Sequence, residues 1–377
     1  MARCFEDDRI VMTLDAGGTN FVFGAVRGGE EVIGSITLPS RGGDLDASLD
    51  NLRRGFQEIG EEAPGEPAAI SFAFPGPADY RAGIVGDLAN LPGYRGGVPL
   101  GPMLEDRFGI PVYINNDGDL FAYGEAMAGL LPWVNRRLEE AGCERRYRNL
   151  LGLTLGTGFG GGLVHDGRLV LGDNSASGEI WSMRSGTDPE LNAEEGASIR
   201  AVRRGYARRT GIDLEEVPDP EDLFLMVKGE GEGDAEVARE TFRELGRTVG
   251  EAAADAIVLL DGLVVIGGGL AGASELFLPE VVDRMNGSYP RPGGGTNPRM
   301  ESTAYDLEEE EGLAAFLEPT SRRVPVPGSD RTVSYEPEKK VGVGISRLGT
   351  SRAVSIGAYA FALDALDSRV TPGGPTT

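Results

Sequence analysis

Two carboxylates stand at the ends of apolar segments, where they could act in proton transfer or phosphoryl transfer. Asp15 follows the apolar run Ile10–Leu14, and Asp117 follows the run 111–115. A carboxylate at a strand end can accept a proton from a hydroxyl group or hold Mg²⁺ beside phosphates. The pattern favours phosphoryl transfer to a hydroxyl, with Asp117 as general base and Asp15 as the Mg²⁺ ligand. Two simpler roles stay open, because Asp15 could cap a β-turn and Asp117 could cap a helix.

Three glycine-rich turns, each after an apolar run, could bind a ligand rich in phosphate. Glycine adopts positive φ and lets backbone N–H groups approach phosphate oxygens closely. The turns match neither a P-loop nor a convincing dinucleotide fingerprint. They therefore predict a nucleotide held by several backbone loops. The predicted contacts are Asp15, Gly17, Gly18, Thr19 and Asn20 in the first turn, Gly156, Thr157 and Gly158 in the second, and Gly268 and Gly269 in the third.

Three glutamates and one histidine are the other polar positions of interest. Glu179, Glu194 and Glu195 are flanked by turn residues and could accept hydrogen bonds from sugar hydroxyls. In so acidic a chain, a lone glutamate is more often a solvated surface residue. His165 is the only histidine, and its place in a predicted hairpin turn indicates surface exposure. This count excludes a histidine-rich metal site, and any His-dependent triad in which His165 is not the base.

The composition excludes several classes of partner. The 377 residues carry a formal net charge of −24, which makes nucleic acid and anionic membrane surfaces poor partners. Two cysteines form neither a disulfide framework nor a zinc site. The polar start does not resemble a signal peptide, and no apolar run is long enough to span a membrane. We expect a cytoplasmic protein, and its acidity fits either a high-GC genome or adaptation to salt.

Alternating helical and strand patterns predict an α/β protein. The segment 135–148 is interpreted as an exposed excursion, and 286–345 as an irregular surface insertion with a hairpin near 322–336. The domain prediction is a smaller lobe over 1–120, joined by a C-terminal helix at about 350–377, and a larger lobe over 121–349. The predicted strands are 10–14, 21–26, 31–38, 69–74, 111–115, 150–155, 162–164 and 263–266. The predicted helices are 45–60, 99–108, 117–129, 195–209, 219–228, 234–259, 275–285 and 352–366.

Taken in order, seven short motifs resemble those of ROK-family sugar kinases. The resemblance covers residues 10–285 and resumes in the closing helix at 349–363. It implies a two-lobed actin-like, ribonuclease H-like ATPase fold with sugar and ATP in the cleft between the lobes. It also implies ATP-dependent phosphorylation of a hexose, usually at the 6-hydroxyl, by a homodimer. The motifs are Asp15–Asn20, Phe74–Pro77, Asn90–Gly93, Ile114–Asp117, Gly156–Gly162, Gly178–Ile180 and Gly267–Gly269.

The resemblance also implies a role for individual residues. Asp117 is implied as the catalytic base, the first two glycine turns as the phosphate and Mg²⁺ loops, and the third as the adenosine motif. Either Glu194 or Glu195 is implied as the last sugar ligand. The implied sugar-side positions are Gly76, Asn90, Asn116, Asp117, Glu179, Glu194 and Glu195.

One region departs from the family pattern and leaves the sugar open. Family members follow the glutamate at 179 with Gly-His and then a cysteine-rich zinc loop. Here Glu179 is followed by Ile180 and Trp181, Ser182 takes the place of the histidine, and the cysteines are missing. We therefore expect no zinc. Glucose is the first expected substrate, with mannose, fructose and N-acetylated hexosamines open. The alternatives are a sugar sensor without efficient turnover and an ATPase or carboxylate kinase of the same superfold.

Overall fold

The computed structural model describes residues 5–87 and 91–370, with side chains described as far as residue 368. Contacts divide the chain into two compact units. The first is Met1–Ala128 with Gly167–Gly178 and Leu348–Thr377, and the second is Gly129–Asp166 with Glu179–Arg347. The predicted division at residue 120 differs, because it would cut a helix that the contacts keep whole. Within the described residues, no helix has the length and apolar character that crossing a bilayer requires.

The first unit is built on a six-stranded sheet in the order β3-β2-β1-β5-β8, with β4 also paired to β2. Its strands are β1 (Ile10–Ala16), β2 (Asn20–Arg27), β3 (Glu30–Glu31), β4 (Ile36–Pro39), β5 (Pro67–Ala73), β6 (Ala78–Asp79), β7 (Ile84–Val85), β8 (Val112–Asn115) and β11 (Arg168–Leu169). Its helices are α1 (Leu45–Glu62), α2 (Leu100–Phe108), α3 (Asp117–Met127) and α10 (Thr350–Val370). Because β1, β5 and β8 are parallel, their carboxyl ends meet at one edge of the sheet.

Both faces of this sheet are buried. Side chains alternate along β1, so Met12 joins the core beneath α1 while Val11 packs against Tyr359 of α10. The α1 face is rich in phenylalanine, and Phe23 meets Phe56 edge to face with ring centroids 5.0 Å apart. The segments predicted as strands at 10–14, 69–74 and 111–115 are near-continuous apolar runs because both faces of each strand are buried.

The second unit contains a sheet in the order β10-β9-β12-β18-β15, covered by a helical layer in which α7 packs against α8. Its strands are β9 (Leu150–Leu155), β10 (Phe159–His165), β12 (Leu263–Gly267), β13 (Ser288–Pro290), β14 (Thr296–Pro298), β15 (Thr303–Asp306), β16 (Arg322–Pro325), β17 (Thr332–Tyr335) and β18 (Lys340–Ile345). Its helices are α4 (Leu130–Glu140), α5 (Ile199–Thr210), α6 (Pro220–Lys228), α7 (Ala235–Leu260), α8 (Ser274–Met285) and α9 (Glu310–Leu317).

Two interpretations of the sequence differ from the structure in this unit. The excursion predicted for 135–148 begins inside α4, because Val134 and Leu138 extend a buried stripe that starts at Leu130. The insertion predicted for 286–345 contains β15 and β18, which complete the central sheet. The exposed hairpins β13–β14 and β16–β17 agree with the surface character predicted for this segment.

Candidate functional site

The first glycine turn joins β1 to β2 and is held from behind by Ser40. The buried Ser40 hydroxyl donates to the carbonyl of Gly18 at 2.6 Å, and its backbone N–H donates to the carbonyl of Thr19 at 2.9 Å. Gly17 closes the turn by donating its N–H to Asn20 O at 2.9 Å. Within the described residues, the N–H groups of Gly18 and Thr19 donate no hydrogen bond. The turn can therefore offer two amides to an anionic ligand.

The register of the parallel strands brings the two aspartates to the same sheet edge. Asp15 lies opposite Ala73 on β5, and Ala73 lies opposite Asn115 on β8. The ends of β1 and β8 are thus two strand spacings apart, about 10 Å. Asp117 lies two residues after the end of β8 and is the first residue of α3. The negative charge of Asp15 contributes to raising the Asp117 pKa.

The pKa of Asp117 is raised chiefly because surrounding protein desolvates its carboxylate. Two backbone N–H groups lower the Asp117 pKa but do not reverse the shift. One belongs to Gly118 and lies 2.9 Å from Asp117 Oδ1, and the other belongs to Asp117 itself. The side chain nevertheless remains exposed. Desolvation also raises the pKa of Asp15. An accessible carboxylate with a raised pKa is suited to accept a proton from a ligand hydroxyl.

Two predicted sugar-side positions meet at Tyr80. Asn116 caps α3 by accepting the Gly118 N–H at 2.8 Å, and its Nδ2 donates to the Tyr80 hydroxyl at 3.4 Å. A Cβ placed on Gly76 would lie 3.1 Å from the same hydroxyl. The structure therefore brings Gly76, Asn116 and Asp117 together in the first unit. Asn90, the remaining sugar-side position of this unit, lies outside the described residues.

The second and third glycine turns leave neighbouring parallel strands at one edge of the second sheet, because Gly267 lies opposite Thr154. Gly268 has φ +91°, and a Cβ there would lie 2.3 Å from the carbonyl oxygen of Leu155. Only glycine fits this close approach. Gly269 then opens a short 3₁₀ helix. In the second turn, the predicted phosphate contacts Gly156 and Gly158 are joined by a backbone hydrogen bond of 3.0 Å, and Thr157 is exposed.

Glu194 contacts the second glycine turn directly. Its Oε2 accepts the backbone N–H of Phe159 at 3.2 Å, and its Oε1 accepts Arg200 Nη2 at 2.7 Å. Glu195 instead pairs with Arg204, with 2.5 Å between Oε2 and Nη2. Two arginines one turn apart on α5 thus hold the two glutamates in place.

Glu179 lies in a segment that packs on the Glu194 segment. Its carboxylate accepts the indole N–H of Trp181, and its backbone carbonyl accepts the Ser182 hydroxyl at 2.8 Å. The two segments are joined because Ala193 N–H donates to Met183 O at 2.7 Å. The predicted glutamates therefore share one region of the second unit. His165 ends β10 and is exposed, as predicted.

Four supporting residues escaped the sequence analysis. Arg200 and Arg204 carried a detectable signal, since their four-residue spacing places them on one helix face. Ser40 and Tyr80 show no such sequence signal, because each acts through a hydrogen bond to a residue at least six positions away.

Glycine turns and paired carboxylates at the ends of parallel strands are the features of a phosphoryl-transfer protein. The chain belongs to the ROK family, because the ROK family profile matches residues 11–291. This confirms the predicted family.

Known relatives agree with that assignment. A solved glucokinase from Parabacteroides distasonis is 52% identical, with 96% of this chain and 99% of that chain covered and a TM-score of 0.88. The Thermotoga maritima glucokinase is 28% identical over an alignment of 319 residues that covers 80% of this chain and 93% of that protein. The N-acetyl-D-glucosamine kinase of Vibrio parahaemolyticus is 28% identical over an alignment of 284 residues that covers 72% of this chain and 87% of that protein. The predicted actin-like ATPase fold is thereby confirmed.

Proposed function

We propose that the protein is an ATP-dependent hexose kinase, with the 6-hydroxyl of glucose as the first candidate acceptor. ROK membership and relatives named as glucokinases support this reaction class. The observation that carries the proposal is the placement of Asp15 and Asp117 at one sheet edge. Asp117 is accessible and has a raised pKa, while Asp15 stands beside a turn with open amides.

Asp117 is assigned the role of general base. As the sugar hydroxyl oxygen attacks the γ-phosphorus, the bond to the ADP oxygen breaks and the hydroxyl proton passes to Asp117. A pKa above the ordinary aspartate value brings the carboxylate closer to the working pH, which improves proton transfer. The exposure of the side chain leaves it open to a bound hydroxyl.

The sugar-side roles are assigned to the residues implied by the family resemblance. Asn116 uses one amide hydrogen and its oxygen within the protein, so a second hydrogen and a lone pair are left for sugar hydroxyls. Glu194 and Glu195 are carboxylates held by arginines, and both are retained in the proposal. The full set is Gly76, Asn90, Asn116, Asp117, Glu179, Glu194 and Glu195.

Mg²⁺ is proposed to accompany ATP at Asp15. The donor set fits, because a carboxylate beside hydroxyl and amide groups suits a hard cation and phosphate oxygens. No cluster of three or more His, Cys, Asp or Glu suited to a metal occurs in the part of the chain that the structure describes. Mg²⁺ at Asp15 would therefore draw further ligands from phosphate and water, and it would neutralise phosphate charge. The nucleotide contacts are proposed at Asp15, Gly17, Gly18, Thr19, Asn20, Gly156, Thr157, Gly158, Gly268 and Gly269.

Ser40→Ala is expected to raise the KM for ATP about fivefold, because one hydrogen bond worth about 1 kcal/mol no longer holds the first glycine turn. Steady-state kinetics with varied ATP measure this. Ser71→Ala is the matched control, since Ser71 is equally buried and its hydroxyl has no hydrogen-bond partner among the residues that the structure describes. Equal KM values for ATP in the two variants would remove Ser40 from this role.

A coupled ADP-release assay over a sugar panel tests the proposed function. Glucose, mannose, fructose, N-acetylglucosamine and N-acetylmannosamine should be compared at low and high salt. We expect ADP release that depends on one of these sugars. Sugar binding without ADP release would identify the sensor alternative, and ADP release indifferent to every hexose would identify an ATPase or a kinase for another acceptor. The salt arm also tests whether the acidic composition reflects adaptation to salt.

A homodimer and a cytoplasmic location complete the proposal. The dimer rests on the family resemblance, and the location on the low cysteine content and polar composition. Light scattering coupled to size-exclusion chromatography measures the assembly directly.

A further inference from the structure

The hydroxyl of Tyr80 occupies a junction between two loops beside the proposed base. It donates to the carbonyl of Phe74 at 3.0 Å and accepts Asn116 Nδ2 at 3.4 Å. The residue is only 7% exposed and belongs to the aromatic core of the first unit. Its ring is therefore fixed by packing, and the hydroxyl is held at a defined position.

The two segments that contact this hydroxyl, one containing Phe74 and the other Asn116, are also joined by a backbone hydrogen bond. Phe74 donates its N–H to Asn115 O at 3.0 Å, while its carbonyl accepts the Tyr80 hydroxyl. The N–H of Phe74 is thus tied to the segment that leads into Asp117, and its carbonyl is tied to Tyr80. Gly76 follows two residues later, close enough that a Cβ would lie 3.1 Å from the hydroxyl.

Tyr80 also anchors the nitrogen of the Asn116 amide. The amide oxygen accepts the N–H of Gly118, and the amide nitrogen donates to Tyr80. Without the hydroxyl, the oxygen would keep its capping bond and α3 would still begin at Asp117. The nitrogen would lose its anchor, and the turn containing Gly76 would lose its support.

We propose that Tyr80 is a positioning residue for sugar recognition, which holds Asn116 and the turn containing Gly76 in the orientation that binds the sugar. This inference rests on the proposed function. Both of these hydrogen bonds lie on the sugar side, because Asn116 is itself a proposed sugar contact and Phe74 leads into the turn containing Gly76. Removal of its hydroxyl should weaken sugar binding and leave ATP binding unchanged.

The test compares Tyr80→Phe with Tyr94→Phe. Tyr94 is a fully buried tyrosine in the same core, and its hydroxyl shares a hydrogen bond of 2.9 Å with the Ser48 hydroxyl. For the best sugar of the panel, we expect Tyr80→Phe to raise the KM at least about fivefold, with the KM for ATP within twofold of wild type. Tyr94→Phe should leave both KM values unchanged. Calorimetric titration of the sugar without ATP should show the same loss of affinity.

The outcomes separate the two proposals. Wild-type protein without sugar-dependent ADP release contradicts the proposed function itself. Normal wild-type turnover with a Tyr80→Phe sugar KM equal to that of Tyr94→Phe overturns only the role of Tyr80. A parallel rise in both KM values also overturns it, because a merely structural role would loosen both substrates. Melting curves of the two variants check that each is folded at the assay temperature.

Discussion

Asp117→Asn is expected to lower kcat about 10³-fold while leaving the fold intact. The substitution removes the proton acceptor, and general-base catalysis contributes about 10²–10⁴-fold. An amide oxygen can still accept the Gly118 N–H that the carboxylate accepts now, so α3 should keep its first turn. Coupled ADP release under saturating sugar and ATP measures the effect. Asp106→Asn is the matched control, because Asp106 is an exposed aspartate on α2 of the same unit.

The same substitution should raise the melting temperature at neutral pH. A carboxylate with a raised folded-state pKa stabilises the fold below its unfolded pKa, and this contribution is lost as pH rises through the folded pKa. At pH 7 the ionised Asp117 therefore opposes folding, and a neutral amide relieves that cost. The gain over wild type should shrink as pH falls towards the ordinary aspartate pKa. A melting temperature lower than wild type at pH 7 would contradict the raised pKa.

Activity of the wild-type protein should show the matching pH dependence. Protonation of Asp117 removes the base, so kcat/KM should fall as pH drops through its raised pKa. The acid limb of the profile should lie above the ordinary aspartate value of 3.8. Near-normal turnover in Asp117→Asn, or an acid limb at the ordinary value, would remove Asp117 from the role of base.

The parts of the fold with the densest local signal were predictable from the sequence. Each of β1, β5 and β8 is an apolar run that ends at a polar residue or a turn, because each is buried on both sides and then leaves the sheet. The helix predicted at 234–259 differs by one residue at each end from α7, Ala235–Leu260, because its apolar stripe is long and uninterrupted.

Other elements depend on contacts that a linear pattern does not record. The charges around Leu138 conceal the buried stripe of α4, and β18 lies in a segment whose neighbours are hairpins rich in Pro and Gly. At the candidate site, the residue types and strand ends pointed to Asp15 and Asp117. The roles of Ser40 and Tyr80 could not be predicted from the sequence, because each depends on a single hydrogen bond to another segment of the folded chain.

The contact between α3, the helix that begins at Asp117, and α10 should be the packing site of the first unit that is most sensitive to added side-chain volume. A Cβ on Gly124 would lie 1.9 Å from the carbonyl oxygen of Ala353, and a Cβ on Gly357 would lie 2.0 Å from that of Leu120. Both clashes involve helix backbone, which cannot move aside as a side chain can. The two helices therefore touch through reciprocal glycines, and α10 in turn packs on the sheet that ends at Asp15.

Gly124→Ala is expected to destabilise the protein by about 3 kcal/mol, the upper end of the usual cost of overpacking. Thermal unfolding should show a melting temperature lower by about 5 °C or more. Because α3 begins at Asp117, the forced separation of the helices should also lower kcat at temperatures where the variant is still folded. Gly357→Ala should have the same effect, since its added methyl group on α10 would clash with the backbone of α3.

Gly60→Ala supplies the matched control. Gly60 also lies in a helix of the first unit, but a Cβ there would meet only Met12 Sδ at 3.5 Å, an ordinary contact. Alanine should therefore be neutral or stabilising by up to about 1 kcal/mol, because it has the higher helix propensity. If Gly124→Ala proved as stable as Gly60→Ala, the helices could not be as close as the structure places them. The position of Asp117 would then have to be derived without that contact.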